Sequence, residues 1–179
     1  MQTVRANARY GRAIAAAADL LTRLRVEFVF AGNVARAAWL GGEVNRGPVD
    51  AIALVGPEQK NQVAMMASNR GFRVDRDEIE MSEELDFIPL TFIDAEGDVR
   101  VHVLVASNAL YGRMVRDGIA AEGGGVPLRV PRAEDLALLV AVAEDDQSLQ
   151  MLIRLPEFDR ASYNRRLVSI GLPQMVVNE

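Results

Sequence analysis

The chain predicts an α+β fold in which a mixed β-sheet flanked by helices is followed by a helical C-terminal part. Three observations carry this. Residues 28–55 read as buried strand, glycine turn, short helix, second turn and buried strand. Residues 87–106 read as a β-hairpin around the polar turn Asp94-Ala95-Glu96-Gly97-Asp98. Beyond Pro131 the pattern is helical to the end. Two parts follow: an α/β core at 1–131 and a helical part at 132–179, expected to pack on the core as one structural unit.

In order, residues 3–25 are alanine-rich, with Val4, Ala8, Ala15, Leu21 and Leu24 near one face, and predict a helix that covers the sheet. The stretch carries Arg5, Arg9 and Arg12 without an acid before Asp19, as a transit peptide would, but it leads straight into a strand and reads as an ordinary amphipathic helix. Residues 26–31 form the first strand. Gly32 ends it and Asn33 stands as N-cap of a helix over 34–40, stopped by Gly41-Gly42; Trp39 and Leu40 read as core. A loop at 43–48 leads to a strand at 49–55. A helix follows at 58–68, then a short strand at 72–75. The acidic segment 75–86 reads as a solvated loop, and 99–106, almost all β-formers, as a central strand. A short helix is expected at 108–116. A second hairpin follows at 119–130, whose Gly123-Gly124-Gly125 fits a turn better than a phosphate loop because no helix follows it. Helices are then expected at 133–144, 149–155 after an interruption at 145–148, and 160–170, with Asp159 as cap and Gly171 as stop.

Half the residues are apolar and a quarter charged, enough for a full core. A formal net charge of −5 disfavours non-specific nucleic-acid binding. There is no cysteine, so disulfides and thiolate metal sites are excluded, in keeping with a cytoplasmic setting. No apolar run is long enough to span a bilayer.

Four pieces in order carry a resemblance: Ala31-Gly32-Asn33-Val34-Ala35, Arg46-Gly47-Pro48-Val49-Asp50, Val99-Arg100-Val101-His102-Val103-Leu104, and PRAEDL at 131–136. With this order the chain resembles the minimal nucleotidyltransferase superfamily, in the branch of stand-alone bacterial proteins that includes toxin-like members. The resemblance implies a nucleotidyltransferase-like sheet, with Gly32, Asn33 and Arg46 toward nucleotide phosphate and Asp50 as a metal ligand. It also implies Mg²⁺ or Mn²⁺ with a nucleoside triphosphate wherever the site is active.

The departures fall on the chemistry. Such enzymes are understood to hold two metals on three carboxylates. Here Asp50 keeps the first, Ile52 stands at the second, His102 at the third, and Val140 where a lysine is usual. Positions 50 and 52 of a strand share a face, so Ile52 puts an aliphatic group where a ligand should point. The leading expectation is a protein that has lost metal-dependent transfer and acts by binding a nucleotide or a protein partner, a homodimer included. The alternative is a divergent, active nucleotidyltransferase that recruits Asp75, Glu78 or Glu80. A plain scaffold whose old cleft is filled by side chains is a third reading.

Bland readings stand beside these. Asp50 doubles as a strand-opening cap, and His102 as a hydrogen-bonded core histidine or, facing Asp50, one half of an acid–imidazole pair. Arg46 doubles as a loop partner of Glu43, and Arg160, Arg165 and Arg166 read as a solvated helix face.

Overall fold

The computed structural model describes residues 2–75, 77–78 and 86–172. The chain divides into two compact units, residues 1–131 and 132–179. The first carries two sheets. One is five-stranded, built from β2 (Phe28–Phe30), β4 (Val49–Ala53), β5 (Phe72–Arg73), β6 (Phe87–Phe92) and β7 (Val99–Val105), in the order β2-β4-β7-β6-β5. Its β4–β7 pair is parallel and the other pairs are antiparallel, so the sheet is mixed with β7 at its centre. The other sheet, β3-β1-β8-β9, joins β1 (Gln2–Ala6), β3 (Glu43–Val44), β8 (Ile119–Gly123) and β9 (Val126–Val130). The α+β prediction holds, with two sheets where one was expected.

The additional sheet corrects the reading of the N-terminus. Helix α1 spans Ala8–Arg23, not 3–25, because Asn7 caps it by accepting from the Tyr10 N–H. The residues before it pair as a parallel strand with both β8 and β3. Their strand state is a tertiary gift, since only Val4 is buried and the local pattern is as good for a helix. The same pairing turns two residues of the expected 43–48 loop into β3.

Strand β7 alternates strictly. Val99, Val101, Val103 and Val105 are buried, while Arg100, His102 and Leu104 face the opposite side and are open to different degrees. Helix α1, with Ala13, Ile14, Ala17, Leu20 and Leu21 fully buried or nearly so, packs on β4 and β7 and against α3 (Pro57–Ser68). At the β8–β9 turn, Gly124 and Gly125 both have positive φ, as a two-residue hairpin requires. A Cβ on Gly124 would lie 2.4 Å from the Gly11 carbonyl oxygen, so the turn can approach α1 only as glycine. α4 (Ala109–Asp117) is capped by Asn108 and touches β4 and β2.

The β6–β7 turn is pinned to α1 by charge. Arg12 donates to both carboxylate oxygens of Asp94, at 2.6 and 2.8 Å, and pairs with Glu96. Arg12 and the Glu96 backbone N–H together hold the Asp94 carboxyl down at about 2, from an ordinary 3.8. A depressed acid contributes stability that is present above its unfolded pKa and is lost as pH falls through the folded one. Between about pH 4 and pH 2 the protein is therefore expected to lose more stability than Asp94→Asn does. Parallel acid titrations of thermal unfolding check this, and equal losses would remove the pair from the account.

The second unit holds α5 (Ala133–Val142), α6 (Asp146–Leu152) and α7 (Arg160–Ser169). The expected interruption falls at 143–145 rather than 145–148, and Asp145 closes it by capping α6, accepting from the Ser148 N–H. Asp159 caps α7 as expected. Its own N–H is bound by the buried Glu134 carboxylate at 2.8 Å. Arg166 departs from the solvated face expected of it, lying 12 % exposed in an ion pair with the fully buried Asp135. Among the described residues no helix is long and apolar enough to cross a membrane.

Candidate functional site

Strand register places the site. Asp50 of β4 stands directly across from His102 of β7, and His102 across from Pro89 of β6. The next row on the same face is Val29, Ile52, Leu104 and Phe87. This face of the sheet therefore carries one polar pair bordered by an apolar row, in which Val29 and Ile52 are fully buried.

His102 Nδ1 lies 3.1 Å from Asp50 Oδ1, with the two side chains 28 % and 20 % exposed. A carboxylate only accepts, so Nδ1–H is the donor of this bond. His102 is thus hydrogen-bonded but half-buried on an open face, which corrects the core reading. The Phe87 ring meets the imidazole edge to face, with centroids 5.4 Å apart. Asp50 is no strand-opening cap: Val49 precedes it in β4, and its side chain belongs to the site.

Helix α2 (Gly32–Leu40) begins beside this pair. Its N-cap is Ala31, which has no capping side chain, so Asn33 is not the cap but the second helical residue. Asn33 Nδ2 donates instead to the Arg46 carbonyl, 3.2 Å away. The helix starts two residues earlier than expected because Gly32, at φ 50°, makes the turn itself. A Cβ on Gly32 would sit 2.3 Å from Asp50 Oδ2. Gly32→Ala is expected to cost about 1–2 kcal/mol for the left-handed backbone alone, and the clash adds to it by displacing Asp50 from His102. Thermal unfolding and the loss of the Asp50–His102 bond in NMR of the imidazole check both effects; an unchanged melting temperature would refute them.

Arg46 stands on the other flank of α2. It forms no ion pair with Glu43 among the described residues, and the carbonyl of its neighbour Gly47 accepts from the Tyr10 hydroxyl at 2.9 Å. Asn33, Arg36, Glu43, Asn45 and Arg46 line a cleft of about 160 Å³ there. That is room for a phosphate-sized group and well below the roughly 300–1,000 Å³ of a pocket for a whole small ligand. Asp50, His102 and Gly32 lie outside it, so the predicted site residues fall into two neighbouring places. Arg36 escaped the sequence reading, although its spacing of three from Asn33 puts both on one helix face. Phe87 escaped it because only the hairpin register brings it to His102.

Carboxylates that would complete a metal site are committed elsewhere. Asp75 accepts from the N–H groups of Asp77 and Glu78. Glu78 pairs at 3.0 Å with Arg100, which also donates to Thr91. Glu80 lies outside the described residues. Ile52 is fully buried, and among the described residues no three His, Cys, Asp or Glu side chains converge to hold a metal. One carboxylate already bonded to an imidazole does not fit a pair of divalent metals that want hard oxygen ligands. Val140 is buried in α5 of the second unit. Trp39 is half-buried, its indole N–H bonded to the Pro131 carbonyl.

Compared with solved structures, the chain is similar to a crystal structure of an antigenic nucleotidyltransferase-like protein from Paracoccidioides brasiliensis. The TM-score is 0.54 at 12% identity, over 93% of this chain and 90% of that one. It is also similar to ANT(2")-Ia, solved in complex with adenylyl-2"-tobramycin, with a TM-score of 0.49 at 17% identity over 90% of this chain and 93% of that one. The first likeness shows the fold to be nucleotidyltransferase-like. No protein-family model matches the chain, and no curated protein matches it in sequence.

Proposed function

We propose that this nucleotidyltransferase-like chain binds the phosphate of a nucleotide without carrying out metal-dependent nucleotidyl transfer. The observation that carries this is the makeup of the Asp50 face. Its one carboxylate is bonded to His102, and its neighbour on the strand is the buried, aliphatic Ile52. Phosphate entering there would meet an acid and an apolar wall, where unpaired charge is costly. Beside it, the cleft brings Arg46 and Arg36 together with the acid Glu43, and the Arg46 guanidinium is its donor suited to an anion. A phosphate fits a cleft of this size better than a protein segment does.

A thermal-shift screen of inorganic phosphate and nucleotides, with EDTA and with Mg²⁺ or Mn²⁺, tests the reading. Ligand at about a hundred times Kd stabilises the native state by about 2.7 kcal/mol, so weak binding is visible. The expected shift persists in EDTA and shrinks in Arg46→Ala by the loss of one charge-assisted contact, about 1.5–3 kcal/mol of binding. A shift that requires metal, with nucleotide transferred to an acceptor and lost in Asp50→Ala, would instead establish an active enzyme.

A further inference from the structure

We propose that Tyr10 and Asn33 are positioning residues for the anion cleft. They fix two successive main-chain carbonyls, those of Arg46 and Gly47, so that the Arg46 guanidinium is set at the cleft before a ligand arrives. This rests on the phosphate-binding reading above and adds to it how the site is ordered.

Packing does not hold the loop that carries Arg46. Val44 and Val49 are buried at its two ends, but Asn45, Arg46 and Gly47 are exposed and Pro48 is half-exposed. A segment with no buried side chain keeps its conformational freedom unless polar contacts remove it, and a ligand that orders such a segment binds more weakly for doing so. Two hydrogen bonds from outside the loop take the place of packing. Asn33 Nδ2, on α2, donates to the Arg46 carbonyl at 3.2 Å. The Tyr10 hydroxyl, on α1, donates to the Gly47 carbonyl at 2.9 Å. A peptide unit is planar, so holding these two carbonyls orients the main chain on both sides of Gly47, and with it the Cα from which the Arg46 side chain leaves.

The donors are themselves fixed. Tyr10 is buried, and its N–H is bonded to the Asn7 side chain that caps α1. The Asn7 N–H donates in turn to the Val44 carbonyl at 3.2 Å, so the start of α1 grips the entry of the loop as well as its exit. Gly47 completes the arrangement. It lies at φ 73°, and a Cβ there would sit 2.6 Å from Asn33 Nδ2, so any other residue would push the amide off the Arg46 carbonyl. One N–H of the Asn33 amide is thus used on the main chain, and Arg46 is the group left to meet the anion.

NMR titrations with inorganic phosphate in EDTA test this on the native protein, Tyr10→Phe, Asn33→Ala, Arg46→Ala and Tyr10→Phe combined with Arg46→Ala. Tyr10→Phe keeps the buried ring and removes only the hydroxyl, so the variant is expected to fold. Tyr10→Phe and Asn33→Ala should each weaken phosphate about three- to tenfold, the size of one net hydrogen bond. In the Arg46→Ala background Tyr10→Phe should change nothing further, because a positioning residue acts only through the group it positions. Equal weakening by Tyr10→Phe with and without Arg46 would mark a general structural role and overturn the proposal. So would affinity untouched by Tyr10→Phe and Asn33→Ala but lowered by Arg46→Ala, a result that leaves the phosphate cleft standing. If the native protein does not bind phosphate, or Arg46→Ala binds it as well as the native protein does, the phosphate reading falls and this proposal with it.

Discussion

Asp135→Ala is expected to destabilise the helical second unit by about 3–5 kcal/mol, the usual consequence of stripping one partner from a buried ion pair. Asp135 is fully buried on α5, and Arg166 of α7 reaches it with 12 % of its side chain exposed. Removing the carboxylate leaves a guanidinium in a site without compensating charge. Removing both, as in Asp135→Leu with Arg166→Met, is expected to cost less than the single change, because hydrophobic replacement of a whole buried pair is often neutral. Hydrogen exchange of the α5 and α7 amides reads the effect where it arises. Single and double variants of equal stability would mean that the pair is solvated in solution. The pair also recasts the Glu-Asp-Leu start of this helix. Glu134 holds the Asp159 N–H and Asp135 holds Arg166, so both acids bind the unit together.

Much of this was open to reading in the sequence, for identifiable reasons. The helices at 57–68, 109–117 and 160–169 carry their own caps and stops, so local chemistry located them to within a few residues. The hairpin at 87–105 and the turn at Gly124-Gly125 were equally local. What failed was non-local. Strand β1 exists because β8 and β3 flank it, and nothing in QTVRA announces those neighbours. Arg166 looked solvated because its partner lies 31 positions earlier in the chain, at 166 minus 135. At the site, Asp50 and His102 were legible as candidates and their facing arrangement as a possibility; their contact depended on the β4–β7 register. Arg36 and Phe87 needed, respectively, the cleft and the hairpin pairing to become visible. The likeness to a nucleotidyltransferase-like structure at 12% identity belongs to backbone arrangement, which four short motifs in order had already implied.

Ile52→Asp, which makes an Asp-x-Asp pair with Asp50, is expected to unfold the first unit rather than create a metal site. Ile52 has no solvent exposure and sits between Val29 and Leu104 in the sheet. Gly118 crowds Val29 on the same face: a Cβ there would lie 2.4 Å from Val29 Cγ1. The substitution removes a buried aliphatic side chain and installs a carboxylate with no partner, together at least about 3–5 kcal/mol, a large part of a domain's whole stability. Urea denaturation with and without Mg²⁺ measures it. A variant as stable as the parent that gains stability from Mg²⁺ would show an open site lacking only its ligand. The expected result, a large loss that Mg²⁺ does not repair, places the obstacle in the packing. The position opposite is different, because His102 is half-exposed and an acid there would reach water. A metal site at this position would then have to begin with changes at Val29 and Leu104, since a carboxylate at position 52 is costly to ionise while they enclose it.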